Sequence, residues 1–298
     1  GLESSGIHAE DSKVWEWSLV LSAMGIRHRV RRPERGEGFL IRVDQGELDR
    51  AREEIRLYEQ ENLPVEQESV PNHKQAGDST FWILLGLALF YKCVRLDLAG
   101  FGYDPIPWHE LGRVDAWMVQ NGEWWRLVTG LTLHADPAHL VGNLLIGGVF
   151  VVLLCRDVGP GLAWLLVVAS GAAGNGLNVL MQGFPHASVG WSTSVFGTVG
   201  ILSGVRLLDT RGPGWPRRLL PLPAGLGLLA MLGTGGENTD LGAHLFGFGA
   251  GLLAGLGTGF LDLGRRIESS GFNRLLLAGA LGLVACSWLA ALYFGSPE

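Results

Sequence analysis

The sequence predicts an all-α polytopic membrane protein with a small soluble α+β domain in front of it. Three observations carry that reading. Residues 1–79 hold eleven of the 23 Lys+Arg and sixteen of the 29 Asp+Glu, so the other 219 residues are starved of charge. Soluble domains average about 25% charged residues, and this chain falls to 17% even with its charged start included. The charge-poor part also breaks into seven apolar segments, at about 80–96, 137–155, 160–182, 191–208, 217–234, 241–262 and 273–294. Each is long enough to cross a hydrocarbon core of about 30 Å at roughly 1.5 Å per residue. Finally, Arg and Lys gather in alternate connections, as the positive-inside rule expects of membrane spans.

Taken in order, residues 1–62 form the small domain. Val14, Trp15, Leu19, Val20 and Ala23 follow helical spacing from Lys13 to Met24, and Gly25 stops the helix. Two short strands, roughly 26–31 and 39–43, flank the turn-rich stretch Pro33–Gly38. A second helix from about Glu47 to Glu61 places Leu48, Ala51, Ile55 and Tyr58 on one face. This αββα module holds no catalytic constellation. Binding a regulator or mediating self-association is one reading of it, and a solubilising appendage is the other. Residues 63–79 are a polar, Pro-containing linker, and 80–298 is the membrane domain. The polar first 79 residues predict no cleavable leader.

Placing the N-terminal domain in the cytoplasm puts Arg156, then Arg206, Arg211, Arg217 and Arg218, then Arg265, Arg266 and Arg274 inside. The outer connections after spans 3 and 5 have no Arg or Lys, and the first outer loop, 97–136, has only Arg113 and Arg126. Orientation follows: N-terminus inside, C-terminus outside, with a bacterial inner membrane as the expected setting. The first outer loop carries Trp108, Trp117, Trp124 and Trp125, and tryptophan favours the membrane interface. This loop is expected to lie partly in the outer leaflet.

The net charge of −6 has no basic face behind it, which excludes nucleic acid as a partner. Cys93, Cys155 and Cys286 lie in or beside apolar runs and form neither a disulfide framework nor a zinc-spaced cluster. No cofactor or metal is expected.

Polar residues inside spans are costly and usually functional, and three spans open with them on the outer side. Span 2 starts His134-Ala135-Asp136-Pro137-Ala138-His139, with Asn143 one turn beyond His139 on the same face. Asp136 followed by Pro137 is a helix start, Asp as N-cap and Pro at the first helical position. Span 4 starts Gly190-Trp191-Ser192-Thr193-Ser194-Val195-Phe196-Gly197. Span 6 starts Asp240-Leu241-Gly242-Ala243-His244, and His244, Gly247, Gly251 and Gly255 lie in one narrow stripe. The Gly247-x-x-x-Gly251 spacing lets a neighbouring backbone approach closely. With span 4 as that neighbour, His244 comes within reach of Ser192. A serine hydroxyl is a weak nucleophile until an adjacent base takes its proton. The oxyanion that follows needs preorganised donors, which His139, Asn143 and the Ser192 backbone N–H supply.

These segments resemble the rhomboid intramembrane serine proteases. The resemblance rests on Gly190-Trp191-Ser192-Thr193 with Phe196-Gly197, on Ala243-His244 with Gly247-x-x-x-Gly251, and on His134-x4-His139-x3-Asn143. Trp125-Arg126 matches the Trp-Arg pair of the family's first outer loop. It covers roughly residues 80–262, with span 7 as the extra helix some members carry. It implies a rhomboid-like helical bundle and cleavage of transmembrane protein substrates near the outer membrane face. It implies Ser192 as nucleophile, His244 as general base, His139, Asn143 and the Ser192 amide as the oxyanion site, and Phe196 beside the His244 ring. Gly190, Gly247, Gly251, Trp125, Arg126 and His134 are implied as parts of the supporting structure. The family usually has glycine after the nucleophile, and this chain has Thr193.

Other readings stand beside this one. Ser194 is an alternative nucleophile, turned about 200° from Ser192 on a helix. Asp240 is either a third member orienting His244 or the cap of span 6, and the cap is preferred. His134, His139 and His244 suit zinc by residue type, but no H-E-x-x-H or carboxylate cluster accompanies them. His186 reads as an interfacial residue. A catalytically inactive rhomboid-like protein that binds membrane partners is the alternative function.

Overall fold

The computed structural model describes residues 4–9, 13–32, 39–62, 76–96, 104–208, 223, 227, 240–267 and 270–296. The chain divides into two compact units, Gly1–Ser69 and Val70–Glu298.

In the first unit, strands β1 (Ser4–Ala9), β2 (His28–Arg31) and β3 (Phe39–Asp44) pair in the order β1-β3-β2, both pairs antiparallel. Ile41 at the centre of β3 faces Ile7 on one side and Val30 on the other. Helices α1 (Val14–Ala23) and α2 (Leu48–Glu61) complete a core of Val14, Leu21, Ile26, Ile41, Val43, Ala51 and Ile55. Gly25, at φ +71°, takes the left-handed conformation that ends α1. Two features differ from the sequence reading. Strand β1 precedes the expected αββα order, because Ser4-Ser5-Gly6 has no alternating apolar pattern and becomes a strand only by pairing with β3. The buried face of α1 is Val14 and Leu21, while Trp15 and Leu19 are exposed. The turn expected at 33–38 lies outside the described residues.

The second unit is helical. Helix α3 (Ala76–Cys93) leads into a long connection holding α4 (Trp108–Gly112), strand β4 (Val114–Asp115), α5 (Ala116–Gln120) and α6 (Arg126–Thr129). Then come α7 (Pro137–Val158), α8 (Pro160–Gln182), strand β5 (Ala187–Ser188), α9 (Ser192–Leu208), α10 (Leu241–Phe260), α11 (Leu263–Arg266) and α12 (Ser270–Phe294). Six of the seven expected spans are therefore helices. The fifth, 217–234, falls outside the described residues except for Pro223 and Gly227. Helices α7, α8, α10 and α12 are each long and apolar enough to cross a membrane.

Local chemistry sets the helix starts. Asp136 accepts from the His139 amide at 2.9 Å with Pro137 in the first position, and Asp240 accepts from the Ala243 amide at 3.0 Å. Gly159, at φ +86°, makes the sharp joint between α7 and α8. Asn273, close to the start of α12, holds that joint by accepting from the Gly161 amide at 2.8 Å.

Helix α9 is the centre of the bundle, packed on α7, α8 and α10, with every residue from Thr193 to Gly204 buried. Its contact with α10 is backbone against backbone. A Cβ added at Gly251 would collide with the Gly197 carbonyl, one at Gly255 with the Ile201 carbonyl, and one at Gly200 with the Phe248 carbonyl. Small residues in membrane helices allow this closeness, and dispersion contacts and weak polar contacts then hold the pair.

The tryptophans of this long connection divide. Trp108 packs edge-on against Trp288 of α12 with ring centres 5.3 Å apart, and Trp125 packs near Phe294. Trp117 and Trp124 are exposed. Strands β4 and β5 pair through Val114 with Ser188 and Asp115 with Ala187, which stitches the long connection to the segment before α9.

Candidate active site

Ser192 is the first residue of α9 and His244 lies in the first turn of α10. The close α9–α10 crossing brings them together, with His244 Nε2 2.8 Å from Ser192 Oγ. The phenyl ring of Phe196, one turn below Ser192, stacks on the imidazole with centroids 4.4 Å apart and planes 29° from parallel. Ring orientation is therefore set by packing from one side and by the serine from the other.

Asp240 does not orient His244. Its carboxylate caps the helix through Ala243 and accepts from Asn178 Nδ2 at 2.8 Å. His244 Nδ1 is buried without a hydrogen-bond partner among the described residues. The pair is a dyad in its geometry. Ser194 is fully buried, and its Oγ lies where a Cβ at Gly171 of α8 would be. It faces away from the imidazole, so Ser192 alone has a base in contact.

From α7, His139 and Asn143 line the same cavity as Ser192 and His244, a space of about 1290 Å³. Asn143 is 9% exposed, and its Nδ2 is buried with no hydrogen-bond partner among the described residues. A buried amide donor without an acceptor is uncommon and calls for an explanation. Gly190 explains how the chain passes His139. It sits at φ +137°, and a Cβ there would stand 2.5 Å from His139 Cε1. Glycine alone meets both demands.

His134 is buried against His139, ring centres 5.4 Å apart and nearly perpendicular. Burial, then the neighbouring His139, pushes its pKa down to about 4, so it stays neutral at ordinary pH. Its carbonyl and that of Ala135 accept from Arg95, which fixes the approach to α7. Among the described residues, His134, His139 and His244 do not form a group able to hold a metal ion.

Trp125 and Arg126 stand apart from the dyad. The Arg126 side chain is 1% exposed and donates to Glu123 at 2.7 Å and to the carbonyls of Glu110, Arg113 and Ser296. It ties the long connection between α3 and α7 to the end of α12.

Thr193 fits a slot made by two other glycines. A Cβ at Gly174 of α8 would stand 2.8 Å from the Thr193 methyl, and one at Gly247 of α10 3.0 Å from it. The residue that departs from the usual family glycine therefore fills space that this chain has cleared. The sequence reading did not single out Gly174, Asn178 or Gln182. Gly171, Gly174, Asn175 and Asn178 do form a small and polar stripe at helical spacing in span 3, a signal that was there to find.

Comparison with known proteins agrees with this architecture. Residues 121–259 match the rhomboid domain. Over 131 residues the chain is 31% identical to the putative rhomboid protease YdcA of Bacillus subtilis (strain 168), covering 43% of this chain and 64% of that protein. Over 140 residues it is 29% identical to the rhomboid protease GluP of the same organism, covering 46% of this chain and 27% of that protein. The chain thus spans less than two thirds of the length of either relative. The chain therefore contains a stretch, residues 121–259, that is similar to the rhomboid domain. With its apolar helices, it is a multi-pass integral membrane protein.

Proposed function

We propose that this chain is an intramembrane serine endopeptidase that cleaves transmembrane protein substrates near the outer membrane face. The observation that carries the reading is the 2.8 Å contact between Ser192 Oγ and His244 Nε2 at the wall of a large cavity. Ser192 Oγ attacks the scissile carbonyl carbon as His244 Nε2 takes its proton. The carbonyl oxygen becomes an oxyanion, which accepts hydrogen bonds from Asn143 Nδ2, His139 and the Ser192 amide at the free N-terminus of α9. Collapse expels the amine product, protonated by His244, and leaves an acyl group on Ser192. A water then attacks the acyl carbon and gives its proton to His244, and the second collapse returns that proton to Ser192 and frees a carboxylic acid product. Ser192 is the first residue of α9, which supports a reaction close to one end of that helix.

The test is covalent labelling of the purified protein with a fluorophosphonate, whose phosphorus is attacked by an activated serine with loss of fluoride. Labelling at Ser192 is expected, together with cleavage of a single-span model substrate. Ser192→Ala and His244→Ala should each abolish both while the protein stays folded. Cleavage that survives in Ser192→Ala would overturn the assignment. An unlabelled, inactive wild-type protein would leave the alternative, a rhomboid-like protein that binds membrane partners without cutting them.

The Arg distribution further supports an N-terminal unit inside and an active site opening outside. Cysteines placed at Gly236 and Arg217 should label from opposite sides of the membrane. Labelling of both from one side would reject this orientation.

A further inference from the structure

A second set of polar contacts lies beside the dyad; it shares Asp240 with the cap of α10 but is not used by the proposed chemistry. His186, in the segment between α8 and α9, places Nε2 3.0 Å from Asp240 Oδ2. Asn178 Nδ2, near the end of α8, lies 2.8 Å from that same oxygen and 2.9 Å from the same ring nitrogen. Gln182 Nε2 donates to Asn178 Oδ1 at 2.9 Å and to Asp240 Oδ1 at 3.3 Å. Asn178 is 1% exposed, so its amide is committed to this cluster. The arrangement holds His186 in either proton state. A protonated Nε2 donates to Asp240, and a bare one accepts from Asn178.

The position of the cluster gives it a role. Asp240 caps the helix that presents His244 four residues later. The backbone around His186 runs directly to Ser192, and the long connection between α3 and α7 fixes that stretch at both ends. The His186 carbonyl accepts from the Ala116 amide at 2.9 Å, and the Gly190 amide donates to the Gly130 carbonyl at 3.0 Å. This cluster therefore gives a side-chain hydrogen-bonded tie between the stretch that leads to Ser192 and the start of the helix that carries His244.

We infer that His186 and Asp240, braced by Asn178 and Gln182, are positioning residues that set the distance between Ser192 and His244. This inference rests on the proposed protease function. Displacing a reacting group by about 1 Å can cost on the order of a hundredfold in rate, so a tie at the entry of both chains has leverage that a cap alone lacks. Two competing roles make different predictions. If the cluster only caps α10, Asp240→Asn is harmless, because asparagine is as good an N-cap as aspartate. If it only touches substrate, its loss raises KM.

The experiment measures fluorophosphonate labelling rate, kcat, KM and melting temperature for the full chain and for His186→Ala, His186→Gln and Asp240→Asn. Asparagine at 240 keeps an oxygen for the Ala243 amide but turns the other acceptor into a donor that faces the Asn178 amide. His186→Ala and Asp240→Asn should each slow labelling and kcat by about tenfold to a hundredfold, with KM and melting temperature unchanged. His186→Gln, which can still donate to Asp240, should recover most of the loss. Wild-type labelling rates in both damaging variants would overturn the inference while leaving the protease reading intact. So would a KM effect with kcat held, or a melting temperature that falls in step with rate and is not recovered by glutamine. A wild-type protein that does not label at Ser192 removes the protease reading instead, and this inference with it.

Discussion

Asn143 has a buried Nδ2 and, among the described residues, nothing to give its hydrogens to. A donor held ready in this way stabilises charge that develops only during the reaction. Asn143→Ala should therefore lower kcat by roughly 10²–10³, the size seen when one oxyanion donor is lost. KM and melting temperature should move little, since the lost Nδ2 satisfies no partner among the described residues. Asn143→Asp, equal in shape but unable to donate, should fail in the same way. Cleavage kinetics beside melting curves check both variants, and near-normal turnover with a large drop in melting temperature would assign Asn143 a structural role. Ser192, His244, His139 and Asn143 were legible in the sequence because polar residues at fixed helical offsets stand out in an apolar run. His186, Asn178 and Gln182 were not grouped with them. Asn178 and Asp240 lie 62 positions apart, and no local pattern couples them. The fit of Thr193 was equally hidden, because it depends on which glycines other helices bring alongside.

Between elements, the decisive contact is the crossing of α9 and α10. Gly251→Val places a branched side chain against the Gly197 carbonyl, and Gly200→Val meets the Phe248 carbonyl. Rigid backbone cannot yield as a flexible side chain does, so each variant should lose stability by at least the 1–3 kcal/mol or so typical of overpacking. Activity should fall with it as His244 is pushed from Ser192. Gly249 and Gly257 of the same helix have open space where a Cβ would go, so valine there should be tolerated. Thermal unfolding in detergent separates the two pairs, and equal losses in all four would mean that helix propensity rather than the crossing governs. One half of this contact was visible beforehand, as the Gly247, Gly251 and Gly255 stripe. The other half, Gly197, Gly200 and Gly204, was not recognised. An α9 buried on every side shows no contrast between faces for a periodicity argument to detect. Strand β1 was missed for the related reason that its pattern comes from its partner rather than from itself.

Across the whole membrane unit, one side chain joins parts of the chain that are far apart in sequence. Arg126 pairs with Glu123 and reaches the carbonyls of Glu110, Arg113 and Ser296, and the Ser296 amide donates back to Glu123 Oε1 at 3.2 Å. Helix α12 is thereby fastened at its far end to the long connection between α3 and α7, while Asn273 fastens its start to the α7–α8 joint. A buried ion pair is weak evidence for stability in itself, because desolvation offsets much of the attraction. Breaking it on one side is another matter, since the partner charge stays buried. Arg126→Ala should destabilise the protein by about 3–5 kcal/mol for that reason. Arg126→Lys keeps the charge but not the planar fork that serves four acceptors, so it should recover only part of the loss. Replacing both partners, as Glu123→Gln with Arg126→Met, should cost less than Arg126→Ala alone, because no uncompensated charge remains. Fluorophosphonate labelling should persist in every variant that stays folded, since Arg126 does not touch the dyad. Melting curves of the three variants decide the matter. A double variant no more stable than Arg126→Ala would show that the carbonyl contacts to Glu110, Arg113 and Ser296, rather than the charge on Glu123, hold the last span in place.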